Sequence, residues 1–146
     1  MAAVEGMREL KRALAELSAG VQLNALRSAA QAAGRAVVKE AQARIQVGSE
    51  AHRTYRGNLV APGFARRSIV ARSYIDKRRG RVGVSVGVRA QAFYAVSFLE
   101  LERGRSGARG RPWLRPAFEA SEQQMLNAYR NALQRAVKRA RAKGKK

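Results

Sequence analysis

The sequence contains no cysteine and only one histidine, His52, among its 146 residues. The absence of cysteine excludes disulfide bridges, thiolate metal sites and a cysteine nucleophile. A single histidine excludes a metal site built from several histidines of one chain, and it disfavours a Ser-His-Asp triad. We therefore expect neither a metal site nor a cofactor site, and we interpret His52 as an ordinary loop residue.

Long uncharged apolar runs are missing as well. No stretch approaches the roughly 18 apolar residues that a membrane span requires. The first residues lack the basic start and the apolar run of a signal peptide. We expect a soluble protein that is made in the cytoplasm and has no membrane segment.

Acidic residues are scarce, because ten Asp and Glu stand against thirty Lys and Arg, which gives a net charge of +20. The net charge rises along the chain from +2 over residues 1–50 to +7 over 51–102 and +11 over 103–146. The apolar content of 46% is that of a globular protein rather than a disordered one. A folded protein this basic repels itself, so we expect a polyanion or an acidic protein surface as its partner.

The sequence has no Walker loop and no zinc-protease motif. Gly104, Gly107 and Gly110 recur at every third residue, but they do not follow a predicted strand and so do not form a dinucleotide fingerprint. We expect that the protein is not an enzyme.

The spacing of apolar residues predicts the fold. Apolar residues three and four apart predict helices over about 7–18, 21–47 and 116–140. Residues 68–76 and 82–88 have the composition and alternation of a β-hairpin with a turn at 76–80, whereas 91–102 fit either a helix or a strand. The predicted class is α+β, with two N-terminal helices and a long C-terminal helix packed on a small antiparallel sheet. We expect one domain over residues 1–142, with a long loop at about 48–67, a basic loop at about 103–112 and a basic tail at 143–146.

Two clusters of basic residues are candidates to face a partner protein or DNA. Lysine and arginine neutralise phosphates and release counterions, whatever the base sequence. No zinc finger, RNP-like strand or readable helix-turn-helix accompanies them, so we expect no sequence-specific reading of DNA. The first cluster lies in the basic loop and the second at the tip of the hairpin: Arg103, Arg105, Arg109 and Arg111, and Lys77, Arg78, Arg79 and Arg81.

Two prolines, Pro112 and Pro116, bracket a short apolar segment. Each proline favours an extended conformation for the residue before it, and Pro116 is suited to the first turn of a helix. We expect the segment to provide packing anchors, namely Trp113, Leu114 and Phe118. Trp113 and Leu114 either fill the core of their own chain or insert into a neighbouring subunit.

The segment Phe93-Tyr94-Ala95, the later Glu100, a glycine-containing loop and the motif Arg111-Pro-Trp-Leu-Arg-Pro-Ala117 follow one another along the chain. This order resembles the head–tail joining proteins of long-tailed double-stranded DNA bacteriophages, which are neck or tail-completion proteins. The opening around Met7 and the stretch Arg66–Ile69 are similar in character to that family. Residues 48–67 and the stretch after Glu100 depart from its usual pattern.

The resemblance implies a structural virion protein without catalysis. It implies a homo-oligomeric ring, expected as a hexamer, at the head–tail interface of the virion, assembled in the host cytoplasm. Its partners would be the neighbouring neck and tail proteins, with non-specific contact to packaged double-stranded DNA in the channel. Two alternatives stay open, a tail terminator ring that caps the tail tube and a free, non-specific nucleic-acid-binding protein.

Charge reversal in the basic loop tests this interpretation. We expect Arg105→Glu with Arg109→Glu to block the joining of heads to tails while the subunit stays folded, because loop arginines are predicted to meet a partner rather than the core. Electron micrographs of lysates and circular dichroism of the purified variant measure the two effects. Arg105→Lys with Arg109→Lys keeps the charge and should support joining. Normal infectious particles from the charge-reversed variant would contradict the assignment.

Overall fold

The computed structural model describes residues 2–96 and 110–144. Within them lie helices, one 3₁₀ turn at Ala90–Ala92 and four strands. The helices are α1 (Ala2–Ala15), α2 (Ala19–Arg44), α3 (Phe64–Ser68), α4 (Phe93–Val96) and α5 (Leu114–Lys143). The strands are β1 (His52–Arg53), β2 (Leu59–Val60), β3 (Ile69–Asp76) and β4 (Arg81–Val88).

The strands form two small antiparallel sheets of two strands each, β1 with β2 and β3 with β4. In the first sheet, His52 pairs with Val60 and Arg53 pairs with Leu59. Together with the long C-terminal helix α5, these sheets confirm the predicted α+β class.

The chain forms two compact units, and each is assembled from separated segments. The first unit takes its described residues from 1–34, 72–85 and 123–146, and the second from 35–71 and 86–122. Helices α2 and α5 and the β3–β4 hairpin contribute residues to both units. The expectation of one domain over residues 1–142 stays a prediction.

The core of the first unit brings α1, α2 and α5 together. Leu10 of α1, only 6% exposed, packs with Ala25 and Ala29 of α2 and with Leu133 and Val137 of α5. Alanines on α2 let the larger side chains approach its backbone closely. Met7 and Leu14 of α1, and Leu17 just after the helix, pack on the edge of this core, as their spacing predicts.

The core of the second unit is centred on Trp113, which is 3% exposed. Ala41 and Ile45 at the end of α2 pack with it, as do Ile69 of β3 and Val96 of α4. Burial of an aromatic ring of this size is a large apolar contribution to a small core. This core therefore fixes the position of the segment that leads into α5.

The ends of the helices differ from the predicted ones. Helix α1 ends at Ala15 rather than near residue 18, and α2 ends at Arg44 rather than near 47. Helix α5 begins at Leu114, so Arg115 is helical although a proline follows it. The reason is that Pro116 lies in the first turn, where the missing N–H group has no helical acceptor to lose.

Residues 48–67 were predicted as a loop without regular structure, and that prediction is wrong for part of the segment. It holds the β1–β2 pair and the start of α3. Thr54 and Asn58 close the turn, since the Thr54 amide donates to the Asn58 carbonyl at 2.7 Å and the Asn58 amide donates to Thr54 Oγ1 at 3.1 Å. Gly57 supplies a positive φ of 82° within it. Hydrogen bonds of this local kind do not require apolar residues at regular spacing, so the sequence shows no periodic pattern that would predict these elements.

The segment 91–102 is helical as far as it is described, with the 3₁₀ turn leading into α4. Residues 97–102 lie outside the described residues, and so does most of the basic loop predicted at 103–112. Of the predicted tail at 143–146, Lys143 still belongs to α5.

The tyrosine ring of Tyr74 on β3 lies over Gly83 on β4. A Cβ atom at Gly83 would come within 2.5 Å of the ring carbon Cζ and of the hydroxyl oxygen of Tyr74. This contact explains the glycine in a strand that otherwise alternates valine with small residues. An aromatic ring over a glycine compensates for the packing that the strand lacks there.

We expect Gly83→Ala to lower the free energy of unfolding by about 1 kcal/mol, because the Tyr74 ring must move off the strand. Gly87→Ala, on the same strand, is the matched control, since an added Cβ meets no atom within 4 Å there. Urea unfolding measures both variants, and Tyr74→Ala should remove the penalty at Gly83. An equal penalty in the Tyr74→Ala background would show that the ring is not its cause.

Candidate functional site

The hairpin tip between β3 and β4 presents the first described cluster of cations. Asp76 organises the turn, since its Oδ1 accepts hydrogen bonds from the backbone amides of Arg78 at 3.1 Å and Arg79 at 3.2 Å. Its Oδ2 lies 4.0 Å from Arg79 Nε, an exposed pair of the kind that contributes little stability. The turn therefore holds its backbone locally and leaves its cationic side chains exposed: Lys77, Arg78, Arg79 and Arg81.

The second predicted cluster falls mostly outside the described residues, which include Arg111 but not Arg103, Arg105 or Arg109. The Arg111 guanidinium is exposed and donates a hydrogen bond to Gln46 Oε1 at 2.5 Å. That bond links the segment before α5 to the residues just after α2. Arg111 therefore has a contact within its own chain.

The three predicted anchors behave differently. Trp113 is buried in the second core and Leu114 packs against that core, so the segment fills the interior of its own chain. Phe118 is 55% exposed, so it does not pack in the interior. The helix explains the difference, because successive side chains point about 100° apart around its axis. Ala117 is buried, and Phe118, the next residue, faces solvent.

Truncation to alanine distinguishes the buried anchor Trp113 from the exposed Phe118. We expect Trp113→Ala to lower the free energy of unfolding by about 3–5 kcal/mol, since it empties a buried aromatic site. Phe118→Ala should lower it by less than about 1 kcal/mol, because much of that ring already contacts solvent. Thermal or urea unfolding of the two variants measures the contrast. Similar losses from both would mean that Phe118 packs more tightly than its exposure indicates.

Helix α5 carries a further cationic surface. Its residues from Gln123 to Lys143 include six lysines and arginines and no acidic residue. Leu133 and Val137 face the first core, so the cations lie on the other sides of the helix. The exposed ones are Arg135, Lys138, Arg139, Arg141 and Lys143.

A groove of about 620 Å³ lies between α1 and α5 in the first unit. Arg8 and Lys11 enter it from α1, and Arg130 enters it from α5. Leu126, 57% exposed, and Tyr129 supply apolar surface. Burial raises the pKa of the Tyr129 phenol, so its hydroxyl stays neutral. The remaining lining residues are Met7, Gln123 and Asn127.

A second concave surface, of about 720 Å³, lies in the second unit between the β1–β2 turn and α4. Tyr55, which is 96% exposed, lines it together with Arg56 and the exposed Phe93. At its side, His52 Nε2 and the Tyr94 hydroxyl are 2.7 Å apart, and their rings meet edge to face. Cations and aromatic rings thus share one accessible surface.

Sequence reasoning named His52 only as a loop residue and did not find the two concave surfaces. The groove needs α1 and α5 to lie side by side, although 98 residues lie between the end of α1 at Ala15 and the start of α5 at Leu114. The signal that could have indicated it is the pattern Gln123, Leu126, Asn127 and Arg130, which places polar and apolar residues on one helix stripe.

The described part of the chain holds neither a metal-binding cluster nor a membrane-spanning helix. Among those residues, no group of three histidine, aspartate or glutamate side chains is placed to hold a metal ion. No helix within residues 2–96 and 110–144 is both long and apolar enough to cross a membrane.

Comparison with known proteins gives one match. Residues 8–101 match the family described as "Bacteriophage HK97-gp10, putative tail-component". That range covers well over half of the 146 residues. No curated protein matches the chain, and no solved structure matches it.

Proposed function

The chain belongs to the HK97-gp10-like family of bacteriophage tail components, and from that premise we propose that it is a ring-forming subunit of the head–tail joint. Membership makes it a tail or neck component of the virion that interacts with other phage proteins. The family match is the observation that carries the proposal. The ring, the position at the joint and the DNA channel go beyond that match.

Exposed apolar side chains in the second unit support subunit contacts. Tyr55 and Phe93 line one concave surface, and Leu59 and Phe118 are also more than half exposed. Single exposed apolar residues are ordinary on protein surfaces, but large rings that share a concavity are typical of interaction sites. A head-to-tail contact between copies, repeated around an axis, closes a ring and buries such surfaces.

The charge supports a position around DNA or against acidic neighbours. Each subunit brings a charge of +20 to a ring, so the ring needs negative charge close by to offset self-repulsion. The hairpin tip and the acid-free part of α5 contact phosphates without reading bases, as DNA in transit through a channel requires. We further propose that the protein has no catalytic activity of its own.

Two other functions keep specific support. A tail terminator ring also fits a tail component, because it caps the tail tube rather than bridging to the head. A free nucleic-acid-binding protein fits the same cations at Lys77–Arg81 and along α5. The proposal favours the joint because the sequence motif from Arg111 to Ala117 resembles joining proteins.

Particles made without this protein test the proposal. We expect filled heads and tails of normal length that stay separate in electron micrographs, and we expect purified protein to restore joining when it is added to them. Tails of uncontrolled length would instead indicate a terminator, because nothing would stop growth of the tube. Joined, infectious particles without the protein would overturn the proposal.

Sedimentation at several salt concentrations distinguishes a joint protein from a free nucleic-acid-binding protein. A joint protein should form discrete oligomers, with modest affinity for duplex DNA. A free nucleic-acid binder should bind duplex as a monomer or dimer, and its affinity should fall steeply as salt rises. The second result would favour the alternative over the joint.

A further inference from the structure

We propose that the groove between α1 and α5 docks an acidic, amphipathic segment of a neighbouring virion protein. The groove lies wholly within the first unit. The identity of the neighbour rests on the proposed function, whereas the chemistry of the docked segment rests on the groove alone.

Among the residues whose side chains the structure describes, the cations of the groove have no acidic partner. Arg8, Lys11 and Arg130 come from two helices, and no described carboxylate lines the space between them. Within the described residues, none of the three forms an ion pair. Three positive charges at one concave surface attract a ligand that supplies negative charge, since a cleft concentrates their field.

A second surface between the same two helices provides the contrast. It is lined by Arg12 and Lys138 among others, and it also includes Glu9 and Glu16. There Arg141 Nη2 lies 2.5 Å from Glu16 Oε2. On that surface Arg141 is paired with Glu16, and Glu9 lines the same space, whereas no described carboxylate lines the groove, so the positive charge of the groove is the less compensated of the two.

The apolar part of the groove indicates the class of ligand. Leu126 is more than half exposed, and Met7 and Tyr129 line the same space. A phosphate backbone offers nothing to cover Leu126, whereas a peptide with apolar residues on one side does. A second copy of this chain is a poor occupant of this groove, because it is strongly basic and the groove already holds three cations, whereas the contacts between copies in the proposed ring use apolar side chains of the second unit.

The layout of the lining residues suits a helix of the partner. On α5, four of the five lining residues form one stripe along about 10 Å of helix, namely Gln123, Leu126, Asn127 and Arg130, and the fifth is Tyr129. On α1 they are Met7, Arg8 and Lys11. Two stripes that face one space make a trough, and an amphipathic helix lays its apolar side into such a groove.

Fluorescence anisotropy with a defined probe tests the proposal on the full chain. The probe is a labelled helical peptide of glutamate and leucine, with the leucines three and four residues apart. A scrambled peptide of the same composition, in which the leucines no longer share one helix face, and a short DNA duplex serve as comparisons. We expect the wild-type chain to bind the helical peptide at least tenfold more tightly than the scrambled one.

Matched charge reversals locate the binding surface. Arg8→Glu with Arg130→Glu changes the groove, whereas Arg12→Glu with Lys138→Glu changes the other surface of the same two helices by the same total charge. We expect the groove pair to lower peptide affinity by about tenfold or more, as like charges brought together would. The control pair should change it by less than about threefold, because exposed charges at a distance are screened.

A separate variant tests the apolar contact between the groove and the peptide. Leu126→Asn should weaken peptide binding about fivefold, because part of a leucine side chain is buried on docking. It should leave duplex binding unchanged, since that binding depends on charge. Circular dichroism and unfolding of each variant establish that it is folded.

Each remaining outcome overturns the proposal. These outcomes are equal losses from the two reversal pairs, no effect of Leu126→Asn, equal binding of both peptides, or no peptide binding at low salt. Loss of duplex binding in the groove pair alone would assign the groove to DNA instead. If the binding results hold while particles join without the protein, the groove docks an acidic partner and the proposed joining function is what fails.

Discussion

Unbalanced positive charge is the constraint on which the rest of this structure depends. Thirty cations share ten carboxylates, and the ion pairs within the described residues are exposed ones that use Glu16, Glu40 and Asp76. Such pairs contribute from nothing to about 1 kcal/mol each. The fold therefore depends on its two apolar cores, and most of the cationic surface is left for partners that bring negative charge.

The sequence predicted the parts of the fold that leave a period in the apolar residues. Leu10 and Leu14 indicated the packed face of α1, and the alternating valines from Val82 to Val88 indicated β4. It failed where local hydrogen bonds decide the structure, as between Thr54 and Asn58. For the candidate sites, it found the cations of the hairpin tip but not the groove, because a groove depends on distant segments and one sequence does not show which helices lie side by side.

The range of the family match does not include all the residues that form the two cores. The match ends at residue 101, yet both cores take essential side chains from beyond it. Trp113 and Ala117 belong to the second core, and Leu133 and Val137 to the first. The matched region alone thus lacks one side of each core. The groove is divided in the same way, since Arg8 and Lys11 of α1 lie inside the match and the α5 side of the groove lies outside.

Each compact unit is discontinuous along the chain, and this has a consequence for how fast the protein reaches its native state. Leu10 and Leu133 meet in one core, although more than a hundred residues lie between them. Contacts so far apart in sequence must close long loops, which slows folding relative to helical proteins built from local contacts. A newly made chain must be synthesised past Ala117 before the second core has all of its buried residues, and past Val137 before the first core has all of its own.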